Sequence, residues 1–204
     1  MQHRNRLDIR VGGPTLLTAA LMLLVLPLQW LAAALTAALW HECCHYIAVK
    51  LCGGVIRCVR IGAGEAVMEC KPMRPGRELL CSLAGPMGSL LLVPFVHWIP
   101  GIAVCGCFHA LYNLLPVYPL DGGRALYTAV FSLLPGDRAE RLCSGIEGAA
   151  VILVITASVV SAFVLKLGIF PMLLTAILLF RVKREKLLAN CRNKRYNSPT
   201  NVKR

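Results

Sequence analysis

The sequence predicts an all-α polytopic membrane protein with about six transmembrane helices, a broken fourth helix and a small membrane-associated β-hairpin. Three observations predict it. Hydrophobic residues make up 57% of the 204 and charged residues only 16%, with a mean hydropathy of +0.64, whereas a soluble domain carries about 25% charged residues. Long apolar runs recur along the chain, and a crossing needs about 20 such residues. Of the 22 Lys and Arg, all but Lys166 fall on one side of a six-crossing arrangement. That asymmetry puts both termini and the two long loops in the cytoplasm of a cell membrane. The net charge of +12 is thus topological, not a stripe for nucleic acid. Residues 1–180 read as one six-helix domain and 181–204 as a basic cytoplasmic tail.

The first apolar run extends from beyond Arg10 to Tyr46, too long for one crossing. A bend at Pro27, Gln29 and Trp30 divides it into helix 1, about Val11 to Leu26, and helix 2, about Leu28 to Leu51. A cleaved signal peptide is the rival reading, but the apolar run continues past the small-residue site at Ala32 to Ala34. Gly53 and Gly54 end helix 2. Val55 to Ile61 and Ala66 to Cys70 are β-prone and flank Gly62 to Gly64, which suggests a hairpin. Helix 3 is expected at about Leu79 to Trp98, with a turn at Pro100 and Gly101, and helix 4 at about Ile102 to Leu115. Pro116, Pro119, Asp121, Gly122 and Gly123 then break the chain, and a short helix resumes at Arg124 to Leu134. Helix 5 is expected at about Ile146 to Leu165 and helix 6 at about Ile169 to Phe180. The ten cysteines show no C-x-x-C pair, so neither a disulfide framework nor a zinc ribbon is expected.

Helix 2 carries His41, Glu42, Cys43, Cys44 and His45. Residues i and i+4 share a helix face, so His41 and His45 can both turn a nitrogen to one metal ion. Glu42 is placed as general base, as in the H-E-x-x-H pattern of zinc peptidases. The bland alternative, three interior polar residues with no task, costs several kcal/mol for the Glu in a membrane. A catalytic zinc takes three protein ligands and keeps one position open. Asp121 is the best third candidate, because the prolines and glycines around it unwind a helix near the membrane. Unwound backbone at that depth is tolerated where protein or a water cavity surrounds it. An Asp in an ordinary cytoplasmic turn is the competing reading. His109 shares a face with Asn113 and reads as an orienting or packing residue, His97 as interfacial, and Cys43 and Cys44 as small packing residues.

With these motifs goes Leu83-Ala84-Gly85-Pro86-Met87-Gly88 in helix 3, and Asn113 and Pro116 ahead of Pro119-Leu120-Asp121-Gly122-Gly123-Arg124. Together they resemble the site-2 protease family of intramembrane zinc metalloproteases over about residues 10 to 180, closest to the branch of stage IV sporulation protein FB. The resemblance implies a bacterial zinc enzyme with His41, His45 and Asp121 as metal ligands and Glu42 as catalytic base. It further implies that Asn113 and Pro116 shape the substrate cleft, and that residues 55 to 70 form a hairpin able to pair with an extended substrate strand. The implied partners are the lipid bilayer and a membrane-embedded or membrane-associated regulatory protein, such as a pro-sigma or anti-sigma factor, and the implied role includes sporulation. The chain departs from the branch in its Cys-Cys pair inside the zinc motif, and shows no counterpart of the nucleotide-sensing domain or of a PDZ insertion.

A small transporter or metal channel using the histidines as an ion site is the alternative. It has no need of Glu42 beside two ligands, and no inverted repeat is visible. The basic tail, from Arg181 and Lys183 to Arg204, fixes the last helix inside or binds anionic headgroups.

Overall fold

The structure is a computed structural model that describes residues 8–11, 27–62, 65–71, 73–164, 166 and 170–196. It divides into two compact units, Met1–Leu114 and Leu115–Arg204.

In the first unit, α1 (Leu28–Leu51) begins after Pro27 and ends at Cys52 and Gly53. Arg77 Nη1 donates to the Cys52 carbonyl at 3.0 Å, which satisfies one of the acceptors a helix C-terminus leaves open. The expected hairpin follows as β2 (Ile56–Gly62) and β3 (Glu65–Cys70), antiparallel with Gly62 opposite Glu65. A strand absent from the sequence expectations, β1 (Asp8–Val11), lies parallel to β2, so that β2 is the central strand. It takes the first residue assigned to helix 1; residues 12–26, the remainder of that helix, lie outside the described residues. The sheet is joined to the helices by a cluster of Val49, Ile56 and Cys81, against which Met68, Cys70 and Met73 pack.

Two other helices complete this unit. α2 (Pro75–Leu90) starts four residues earlier and stops eight residues sooner than expected. Pro75 stands in the first turn, where its missing N–H costs nothing, and Pro94 lies in a separate 3-10 turn (Val93–Phe95) because it cannot continue the α-helix. α3 (Pro100–Asn113) likewise starts at a proline.

In the second unit, an irregular turn leads into α4 (Asp121–Leu133), α5 (Gly136–Phe163) and α6 (Phe170–Tyr196). α4 begins at Asp121, not Arg124. α5 begins ten residues before the expected Ile146: Pro135 precedes it, Asp137 suits its first turn, and no proline interrupts residues 136–163. α6 runs on to Tyr196 through the segment read as tail, whose Arg, Lys, Leu and Ala are strong helix formers.

Polarity is inverted relative to a soluble protein. In the first unit His41 and Ser89 are buried while Leu51 is 83% exposed; in the second Glu147 is buried while Leu153 and Phe163 are 67% and 73% exposed. Among the described residues, Pro75–Phe95 and Gly136–Phe163 are long and apolar enough to cross a membrane. α1 is long enough, at 24 residues, but its centre holds His41, Glu42 and His45.

Close packing at small residues brings α1 and α2 together. α1 and α2 meet at Gly88, where a methyl would fall on the Cys44 side chain, 2.7 Å from its Cβ, and where Trp40 Nε1 donates to the Gly88 carbonyl at 2.8 Å. Gly88→Ala is expected to destabilise the protein by about 1–3 kcal/mol through overpacking. Thermal unfolding in detergent checks this, with Cys44→Ala in the same chain restoring most of the loss.

Candidate metal centre

The site is built on the middle of α1. His41 and His45, one turn apart, face α2 and α3, and their Nε2 atoms stand 3.1 Å apart. Two nitrogens on one tetrahedral zinc, each bound at about 2.0–2.1 Å, stand about 3.3 Å apart. The observed spacing is close to that value.

The outer nitrogens say why the rings hold this pose. His45 Nδ1 lies 2.7 Å from the Cys81 carbonyl, which has no proton to give, so Nδ1–H donates and the neutral ring keeps its lone pair on Nε2. His41 Nδ1 lies 3.0 Å from Ser89 Oγ, a buried hydroxyl about two turns beyond Cys81 on α2. With Nδ1–H donating to Ser89, His41 also presents a lone pair at Nε2, and a cation between the two rings replaces lone-pair repulsion by attraction. Outer partners of this kind fix tautomer and ring orientation in metal sites.

Gly85 leaves the space. A methyl on it would overlap His45 Nε2 and stand 2.6 Å from His41 Nε2, in the volume an ion bound to both would fill. Gly85 and Ser89 therefore act together on one face of α2, four residues apart.

His109, on α3, packs its ring edge-on against His41 with centroids 4.5 Å apart. It is half-buried, in keeping with an orienting or packing role. Asn113 turns back onto its own helix, where Nδ2 donates to the His109 carbonyl at 3.0 Å. This leaves one amide proton and Oδ1 for any contact with substrate. Glu42 is half-buried next to His41. Cys44 packs at the α1–α2 contact as expected, but Cys43 is exposed and fills no interior space. His97 is exposed beside Trp98 in the turn before α3, as an interfacial residue would be.

The remaining residues lie in the second unit. Asp121 is the first residue of α4 and is buried; Pro116 is half-buried in the turn ahead of it. The first unit thus brings together His41, His45 and His109, with Ser89 and the Cys81 carbonyl behind them. Sequence reasoning missed Ser89 and Gly85 as parts of the site, although Gly85 stood in a quoted motif. A signal existed: both belong to a run of small residues four apart, Cys81, Gly85 and Ser89, on a helix otherwise rich in leucine.

No family model matches the chain, and no curated protein matches it. A solved structure does. The site-2 protease from Methanocaldococcus jannaschii is similar with a TM-score of 0.62 at 16% identity, over 87% of this chain and 89% of that one. The two share a fold.

Two substitutions test the geometry. Gly85→Ala is expected to abolish metal binding by filling the ion's place. Ser89→Ala is expected to weaken zinc binding about tenfold, as loss of a ligand's hydrogen-bond partner does. Chelator competition on detergent-purified protein measures both.

Proposed function

We propose that the chain is an intramembrane zinc metalloprotease that hydrolyses a peptide bond of a membrane-embedded or membrane-associated regulatory protein. The observation that carries this reading is the pair of Nε2 atoms 3.1 Å apart, each ring held from behind by α2, on a helix that also presents Glu42. Two imidazoles with one carboxylate are a set that hydrolytic zinc takes; His41 and His45 supply the imidazoles, and Asp121 of the Pro119-Leu120-Asp121-Gly122 motif supplies the carboxylate. Asp121 is accordingly the third ligand. The membrane setting rests on the outward apolar side chains of α5 and on the two helices long enough to cross. A continuous apolar surface of this kind needs lipid or a partner to cover it.

Zinc, when bound, polarises the scissile carbonyl and lowers the pKa of water toward about 7. Glu42 takes the proton of the attacking water and returns it to the leaving amine. Asn113 and Pro116 line the cleft for an extended substrate segment, Asn113 through its second amide proton, and the β2–β3 hairpin offers backbone groups to the same segment. His45 stands about two turns, and His41 about three, from the end of α1 at Leu51. With that end cytoplasmic, water enters without crossing the bilayer. The substrate class is a tethered regulatory precursor, such as a pro-sigma or anti-sigma factor, and a sporulation role rests on the sequence motifs alone.

The test pairs metal content with cleavage of a model transmembrane pro-sigma or anti-sigma substrate. Wild type is expected to hold about one zinc and cleave, His41→Ala and Asp121→Ala to lose the metal, and Glu42→Gln to keep it while losing at least about a hundredfold in rate, the contribution of a general base. Glu42→Gln cleaving like wild type, or wild type holding zinc without cleaving any membrane substrate, moves the ion-site reading to the front.

A further inference from the structure

Glu147 has no part in the chemistry above, yet it is buried, 3% exposed, on the 28-residue apolar helix α5. An ionisable side chain in such a segment is costly and marks a functional arrangement by default. Its neighbour is on the page: Tyr127 of α4 donates its hydroxyl to Glu147 Oε2 at 3.2 Å.

Tyr127 lies six residues beyond Asp121 on the same helix, about 9 Å along its axis. Its ring stacks on Phe131, with planes 13° apart, and meets the ring of Tyr118 at a centroid distance of 6.0 Å. Tyr118 belongs to the turn that delivers the chain to Asp121. That turn closes on itself through Leu120 N–H to the Val117 carbonyl at 2.9 Å, and its Val117 and Leu120 are buried. Gly123 lets it lie directly on the first turn of α4, since a methyl there would stand 2.5 Å from the Tyr118 nitrogen. The turn in front of Asp121 is therefore packed through Tyr118 on the ring of Tyr127, and that ring is anchored to α5 by Glu147.

We propose that Glu147 and Tyr127 are positioning residues that set the aim of Asp121, through the hydrogen bond between α5 and α4 and the packing of Tyr127 on Tyr118. The inference rests on Asp121 being a metal ligand. It assigns the pair no contact with substrate or metal.

The experiment measures zinc affinity by chelator competition, the visible spectrum of the cobalt(II)-loaded protein, and the thermal midpoint of the metal-free protein. The variants are Tyr127→Phe with Glu147→Leu, Tyr127→Phe alone, and Asp121→Ala. Replacing both partners of a buried hydrogen bond by apolar groups of like shape is nearly neutral for stability, so the double variant is expected to keep its midpoint. Its zinc binding is expected to weaken about tenfold, with altered cobalt bands, as when an outer partner of a ligand is lost. A purely structural pair would leave both the zinc affinity and the cobalt spectrum alone. Zinc affinity within about twofold of wild type, in a folded double variant and with Asp121→Ala losing the metal, overturns this inference only. Should the double variant not fold, Tyr127→Phe alone decides, with altered cobalt bands supporting the inference and unaltered bands overturning it. Zinc retained by Asp121→Ala overturns the ligand assignment itself, and this inference with it.

Discussion

Two imidazole Nε2 atoms facing each other across 3.1 Å are the constraint on which the first unit depends. Left alone they repel, or one ring turns its proton to the other and the pair ceases to be a binding site. What orients the rings is α2. The Cys81 carbonyl fixes the tautomer of His45, Ser89 holds the outer nitrogen of His41, and both need α2 to lie close against α1. That closeness is possible because positions 85 and 88 carry no side chain. Helix packing and ligand orientation are thus one requirement, imposed on the same face of the same helix.

Inversion of polarity follows from the same economy. A chain that exposes Leu51, Leu153 and Phe163 while burying His41, Ser89 and Glu147 has placed its few polar groups where other groups can pair with them. His41, Ser89 and Glu147 each have a hydrogen-bond partner, because an unpaired polar group in an apolar setting would cost several kcal/mol. A polar residue in such an interior is informative in proportion to its rarity.

That rarity explains what was legible in the sequence. His41, Glu42 and His45 interrupt an apolar helix and announce themselves, and the bounds of α1 follow from Pro27 and the glycine pair at 53 and 54. The hairpin was legible from its β-prone runs around Gly62 to Gly64. β1 was not, because Asp8–Val11 is four residues of weak pattern whose strand character comes from pairing with β2, fifty residues away. The start of α2 was misplaced because Pro75 was read as loop when it serves a first turn, and α5 because Gly136 to Gly145 is polar and helical at once. Ser89 passed unnoticed because a lone serine beside leucines has no signature; its meaning lies in the ring 3.0 Å away. Glu147 did have one, a carboxylate beside an apolar run, and sequence reading overlooked it.

The start of α4 at Asp121, three residues ahead of the expected Arg124, bears most directly on chemistry. A buried carboxylate needs hydrogen-bond donors or positive charge around it to stay ionised. As the first residue of a helix it stands where the unpaired N–H groups and the aligned peptide dipoles favour negative charge. An apolar interior opposes the ionised form of a carboxyl group. The helix start offsets that opposition. The glycines after Asp121 then have a physical reason beyond breaking a helix: Gly123 lets the preceding turn fold onto the helix that Asp121 begins. The same residues that read as breakers in the sequence are those that bring a carboxylate to a helix N-terminus inside an apolar protein.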